Sequence, residues 1–233
     1  QLTQPATFLS SSISGALSVK TSGRHSAGQE IVQDLLNSVS YSGLIAIPLF
    51  FGALAMPQAI PQTVFGGEVA AAGGAVVGMA IFQVWNVYAS QFESVFTGID
   101  RPGIVFRINA GITTVHLPLA VGLGYLYGLL GVVTATVVAE TLRFVVYQYL
   151  IYAKFNRIAL SRPIAEQVLS GFVMFVGLEA VLSYADVTGW LVLLILVGGG
   201  AVGYFLMLIA VSSHFRFALR HAVPVEYGPL KTP

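Results

Sequence analysis

The sequence predicts an all-α polytopic membrane protein with six transmembrane helices, preceded by part of a further helix. Two observations predict this fold class. Of the 233 residues, 56% are apolar and only 9% are charged, whereas a soluble domain carries roughly 25% charged residues. The few charges also separate long apolar stretches, each near the roughly 20 residues that a helix needs to cross a bilayer. So few charges could not form the polar outer layer of a soluble fold.

Residues 1–39 are expected to form a truncated transmembrane helix and a cytoplasmic amphipathic connector. The apolar run Ala6–Val19 is too short to span a bilayer. Its basic residues follow it, whereas those of a signal peptide come first. The next segment carries apolar residues on one helical face and the acids Glu30 and Asp34 on another, a pattern typical of a helix at the membrane surface.

Residues 40–163 are expected to form four core transmembrane helices. The stretches Tyr41–Gly67 and Val69–Phe92 are uncharged and predict one span each. The uncharged stretch Ile108–Ala139 is too long for one span, and we expect it to break into two helices near Gly128. Three prolines in the first of these spans predict an interrupted helix. They are Pro48, Pro57 and Pro61.

Residues 164–213 are expected to form two peripheral transmembrane helices, Ile164–Tyr184 and Thr188–Ser212. The second of them has no polar side chains at helical spacing, so we expect this pair to face lipid around the earlier helices. Residues 214–233 form a basic tail.

The distribution of lysine and arginine predicts the orientation, because these residues favour cytoplasmic loops. With six spans, every loop-borne positive charge falls on one side of the membrane. The C-terminus then lies in the cytoplasm, and the protein lies in the cytoplasmic membrane. The residues concerned are Lys20, Arg24, Arg101, Arg107, Lys154, Arg157, Arg162, Arg216, Arg220 and Lys231.

Several function classes are excluded by composition and motif. A net charge of +1 gives no sign of nucleic-acid binding, and without cysteine there are no disulfides or thiolate metal sites. Neither a phosphate-binding loop nor a clustered acid and base set of an enzyme is present. We therefore expect a protein that is not an enzyme, with no cofactor and no metal site.

Three spans carry polar side chains at helical spacing, each row on one face of its helix. Polar groups are costly in lipid and tend to face a bundle interior or a water-filled cavity. We therefore expect the rows to converge on a polar cavity in the cytoplasmic half of the bilayer. The rows are Gln83, Asn86, Ser90 and Glu93; Asn109, Thr113 and His116; and Thr136, Glu140, Arg143 and Tyr147.

Each row also has a plainer explanation. Glu140 and Arg143 are three residues apart and could neutralise each other, while the amides could hydrogen-bond between helices. His116 lies next to Pro118 and could be a packed histidine at a kink. Glu93 could cap its span toward water.

Three segments carry short motifs at helix ends. Val64-Phe-Gly-Gly-Glu68 is similar to an F-G-x-x-Y corner, although Val69 replaces the aromatic residue. The stretch ending in Gly98-Ile-Asp-Arg-Pro102 is similar to a G-x-x-R cytoplasmic turn. Tyr127-Gly-Leu-Leu-Gly-Val is similar to a G-x-x-G-A turn, with Val132 in place of the alanine. With these motifs the sequence resembles the C-terminal lobe of polysaccharide flippases of the MOP (multidrug/oligosaccharidyl-lipid/polysaccharide) exporter superfamily.

The resemblance implies a transporter that translocates lipid-linked oligosaccharide or polysaccharide repeat units by alternating access. It implies two six-helix lobes around a polar cavity, with the N-terminal lobe supplied by the same or a separate chain. The substrate-binding residues would be Arg143, Glu140, Gln83, Asn86, Asn109 and His116, with Arg143 on the carrier's phosphate. Glu93 or Glu140 would carry a coupling ion. The alternatives are a cation-coupled small-molecule antiporter of the same superfamily and a non-transporting membrane scaffold.

Overall fold

The computed structural model describes residues 32–66, 72–159, 162–184, 187 and 189–222, together with Ser11, Ile13 and Ser14. Most of the predicted truncated helix and the end of the basic tail lie outside these residues. Within them the chain forms helices and no strand, as the sequence predicts. The helices are α1 (Val32–Ala55), α2 (Ala59–Phe65), α3 (Gly73–Gly98), α4 (Pro102–Phe155), α5 (Arg162–Leu182), α6 (Trp190–Val211) and α7 (Ser213–Ala222).

Four of the described helices are long and apolar enough to cross a membrane, namely Gln33–Ala55, Pro102–Phe155, Arg162–Leu182 and Trp190–Val211. The chain is therefore a multi-pass membrane protein. Helix α3 is also long, with 26 residues, but its row of polar side chains lowers its hydropathy. If α3 and both halves of α4 cross the membrane, the total is six crossings, a count that stays a prediction.

Helix α4 reverses direction at Gly128, where the sequence predicts a break. Its 54 residues would extend about 81 Å in a straight line, against a hydrocarbon core of about 30 Å. Gly128 has φ 60° and ψ −138°, a conformation that a residue without a Cβ adopts most easily. A Cβ at Gly131 would overlap the carbonyl of Leu123. The two arms, residues 102–127 and 129–155, therefore form a tight antiparallel hairpin.

The proline-containing segment is interrupted at one place. Helix α1 continues through Pro48 and ends at Ala55, Pro57 lies in the turn that follows, and α2 begins at Ala59. Helix α1 starts at Val32, so the second part of the predicted connector and the first span are one continuous helix.

The helices pack in a row, in the order α4, α3, α1, α5 and α6. At one end of the bundle, a core of buried side chains joins the start of α1, the end of α3, both ends of α4 and the start of α5. Arg101 precedes α4, Lys154 lies in the last turn of α4, and Arg162 is the first residue of α5. Much of the positive charge of the described chain is therefore at one end.

The opposite end carries exposed aromatic side chains. Tyr125 and Tyr127 come just before the reversal of α4 at Gly128, and Tyr184 and Trp190 flank the turn between α5 and α6. Tyrosine and tryptophan are enriched where a membrane meets water. The two ends of the bundle therefore have the chemistry of two membrane surfaces.

Candidate functional site

A polar pocket lies between α3 and the two arms of α4. Its volume is about 170 Å³. Helix α3 approaches α4 closely, because a Cβ at Gly78 would overlap Val133 and the rings of Trp85 and Phe144 lie 4.7 Å apart. The lining residues are Phe82, Asn109, Ile112, Thr113, His116, Thr136, Ala139, Glu140 and Arg143.

Arg143 is the central cation of this site. Its Nε donates to Glu140 Oε1 at 2.9 Å, and its Nη2 contacts the same oxygen. Nη1 donates to Glu93 Oε1 at 3.1 Å, and Nη2 donates to Asn86 Oδ1 at 2.8 Å. One guanidinium thus pairs with two carboxylates, which gives these three side chains a formal charge of −1.

One oxygen of Glu93 accepts hydrogen bonds from both arms of α4. Besides Arg143 Nη1, its Oε1 accepts from Asn109 Nδ2 at 3.1 Å and from the hydroxyl of Tyr147 at 3.2 Å. The Glu93 side chain is 25% exposed, whereas that of Glu140 is 9% exposed. The two carboxylates therefore differ in their access to a ligand.

His116 joins the two arms of α4 through Thr136. Its Nε2 lies 3.2 Å from Thr136 Oγ1, and the Thr136 hydroxyl donates its only proton to the carbonyl of Val132 at 2.9 Å. With the Thr136 proton on Val132, the Thr136 oxygen is free to accept a hydrogen bond from His116 Nε2 in the form of the ring that carries a hydrogen there. This contact places the histidine ring on the wall of the pocket.

Most of the site residues predicted from the sequence come together in this region. Asn109, His116, Glu140 and Arg143 line the pocket, and two more, Asn86 and Glu93, contact Arg143.

Gln83 does not join the others. It is only 3% exposed and is absent from the residues that line the pocket. Ser90, from the same predicted row on α3, accepts a hydrogen bond from Ser14. The predicted row on α3 therefore divides: Asn86 and Glu93 contact Arg143 of α4, whereas Ser90 contacts Ser14.

Tyr147 was placed in a polar row by its spacing but was not among the predicted site residues. Its ring is fully buried, yet its hydroxyl reaches Glu93. A buried tyrosine is usually taken for an aromatic core residue. The sequence signal for its role in the site was its position four residues after Arg143, which puts both side chains on one helix face. The Oδ1 of Asn109 is buried and has no hydrogen-bond partner among the described residues.

Two curated proteins are similar to the chain. Over 197 residues it is 25% identical to the "Probable flippase AglR" of Haloferax volcanii, covering 83% of this chain and 41% of the relative. The chain is similar to flippases. Over 163 residues it is 24% identical to the "Probable low-salt glycan biosynthesis flippase Agl15" of the same organism, covering 66% of this chain and 34% of the relative.

These similarities confirm the flippase resemblance predicted from the sequence. They also favour a transporter rather than an enzyme at the level of the family. The chain spans less than half the length of either relative. No family model matches it, and no solved structure matches it.

Proposed function

We propose that the chain is the C-terminal lobe of a flippase that translocates lipid-linked oligosaccharide or polysaccharide repeat units across the cytoplasmic membrane. The similarity to flippases supports this function. The observation that carries it is the charged, partly exposed cluster around Arg143, which opens to a pocket in a largely apolar bundle. Charged groups inside a membrane protein commonly mark a substrate or ion pathway.

The proposed mechanism is alternating access. The phosphate of the lipid carrier reaches Arg143, which can make charge-assisted hydrogen bonds to it, while Asn86, Asn109 and His116 hydrogen-bond the sugar. Glu93 or Glu140 carries a coupling proton or cation. Gln83 is left out of the contact set because it is buried away from the pocket.

The proposed arrangement has six spans with the positive end and the C-terminus in the cytoplasm. The interruption between α1 and α2 gives the bundle a place to bend while it opens toward either side. An N-terminal lobe, in the same or a separate chain, closes the cavity opposite α3 and α4.

A second candidate function is favoured by the charge of the cluster. A formal charge of −1 on Arg143, Glu140 and Glu93 suits a cation better than an anion. A cation-coupled antiporter of small molecules would use such a site, and cationic drugs would then compete for it.

The test uses the whole gene product that contains these 233 residues, reconstituted in vesicles. A fluorescent lipid-linked oligosaccharide is followed as it becomes inaccessible to a membrane-impermeant quencher. We expect Arg143→Ala to slow translocation at least about tenfold, since a hydrogen bond to a charged group contributes roughly 1.5 kcal/mol or more.

Arg157→Ala, which removes an exposed charge at the same end of the bundle, is the matched control and should translocate normally. No translocation by the unmodified protein would reject the flippase. Displacement by a cationic drug, without glycan translocation, would favour the antiporter, and neither activity would favour the scaffold.

A further inference from the structure

The hydrogen bonds to Glu93 go beyond its ion pair with Arg143. Three donors from two separate helical arms converge on one oxygen, at 3.1, 3.1 and 3.2 Å. They are the side chains of Arg143, Asn109 and Tyr147. Three donors on one oxygen are the arrangement that also stabilises a phosphate oxygen.

Four of the five N–H donors of Arg143 are already engaged in this arrangement. Arg143 Nε and Nη2 are engaged by Glu140, Nη2 also by Asn86, and Nη1 by Glu93. With a formal charge of −1 on the cluster, a phosphate that approached it unchanged would be repelled. Withdrawal of one carboxylate would remove this repulsion and free the donors that a phosphate needs.

The two carboxylates are not equally able to leave. Glu140 is on the same helix as Arg143, one turn away, with its side chain 9% exposed and two contacts to the guanidinium. Glu93 comes from a different helix, is 25% exposed, and makes one contact to the guanidinium. A change in the packing of α3 against α4 would separate Glu93 from the donors and leave Glu140 in place.

We propose that Glu93 occupies the site of the substrate's phosphate when no substrate is bound, and that Tyr147 is a third donor to this phosphate. This inference rests on the proposed function, since it names the part of the substrate that the site receives. Withdrawal of Glu93 opens Arg143 Nη1, Asn109 Nδ2 and the Tyr147 hydroxyl together. The ligand class is a phosphate ester or diphosphate, with the rest of the molecule in the pocket beside it.

The experiment measures binding of farnesyl phosphate to the purified protein in detergent, with farnesol as the uncharged comparison and inorganic phosphate in parallel. Glu93→Gln keeps the size and a hydrogen-bond acceptor but removes the competing charge. We expect this variant to bind farnesyl phosphate about tenfold more tightly. Glu140→Gln changes the net charge equally and is the matched control, with an expected change below about threefold.

Tyr147→Phe tests the third donor. We expect about fivefold weaker binding in the unmodified protein and in the Glu93→Gln variant, because a donor to a charged oxygen is lost. Tyr149→Phe, at an exposed position of the same arm, should leave affinity unchanged. The effect of Tyr147→Phe remains measurable if Glu93→Gln does not fold.

Three outcomes would overturn the proposal: equal or weaker binding by Glu93→Gln, an equal gain from Glu140→Gln, or no effect of Tyr147→Phe. Equal affinity for inorganic and farnesyl phosphate would overturn the link to a lipid carrier. The translocation assay tests the proposed function independently of this binding experiment. If Glu93→Gln and Tyr147→Phe change phosphate binding as expected but the protein translocates no glycan, the phosphate site is retained and the flippase is rejected.

Discussion

The polar side chains at two of the described helix contacts differ in charge and in access. Between α3 and α4, Arg143 and two glutamates lie partly exposed beside a pocket. Between α1 and α5, Gln167 is 3% exposed and donates to the carbonyl of Ser40 at 2.6 Å. The first contact is charged and open, and the second is neutral and closed.

The difference shows that a polar residue in a membrane helix is not by itself evidence of a binding site. The α1 and α5 backbones approach so closely that a Cβ at Gly171 would overlap Phe51, and one at Gly43 would overlap Gln167 and Tyr88. Small residues and interhelical amides of this kind hold membrane helices together. The α3 and α4 contact keeps charge where a ligand can reach it.

The comparison predicts that loss of Arg143 has the largest effect on stability. Arg143→Met leaves Glu93 and Glu140 without their cation and should lower the free energy of unfolding by about 3 kcal/mol. This lies at the lower limit for a buried pair because the Glu93 side chain is 25% exposed.

Adding Glu93→Gln and Glu140→Gln to Arg143→Met should restore most of the lost stability, since no unpaired charge remains. Denaturant unfolding in detergent measures both variants. A triple variant as unstable as Arg143→Met would show that the guanidinium acts through packing and not through charge.

A smaller effect is expected at the closed contact. Gly171→Ala places a Cβ against Phe51 and Ile47 and should destabilise the protein by about 1.5 kcal/mol through overpacking. Gly177→Ala lies on the same helix with no atom within 4 Å of the added Cβ. It should be neutral or stabilise by up to about 1 kcal/mol, because alanine favours a helix. Thermal unfolding in detergent compares the two, and equal effects would contradict the close approach of α1 and α5.

The smallest expected effect separates the two kinds of polar residue directly. Gln167→Leu removes a neutral hydrogen bond between helices and should cost about 0.6 kcal/mol of stability, with translocation unchanged. Asn109→Leu removes a donor to Glu93 and should lower stability by about 1 kcal/mol, but unlike Gln167→Leu it should also reduce translocation. The two variants are compared by unfolding and by the vesicle assay. If Gln167→Leu abolished translocation in a folded protein, the closed contact would have a functional role.

Helical periodicity predicted much of the fold and of the candidate site. The break at Gly128 follows from glycine in an apolar stretch too long for one span, and the structure has a positive φ there. Rows at three and four residue spacing predicted that Asn86, Glu93 and Arg143 share one region, and they are in contact. Each row depends only on the spacing within one helix, and the cost of polar groups in lipid predicts that the rows face one another.

Features that depend on how distant helices pack were not accessible from spacing. Gln83 lies within the same helical arc as Asn86 but is buried away from the pocket. The contact of Gln167 with Ser40 joins residues that are 127 positions apart. The convergence of three donors on one oxygen of Glu93 likewise requires the side-chain positions of both arms of α4.

The hairpin in α4 also bears on how the protein enters the membrane during synthesis. If each arm were inserted alone, it would expose polar side chains to hydrocarbon, including His116 on the first arm and Thr136 on the second. In the hairpin these two side chains contact each other. Insertion of both arms together would shield them from lipid, and the short turn at Gly128 keeps the arms next to each other from the moment they emerge.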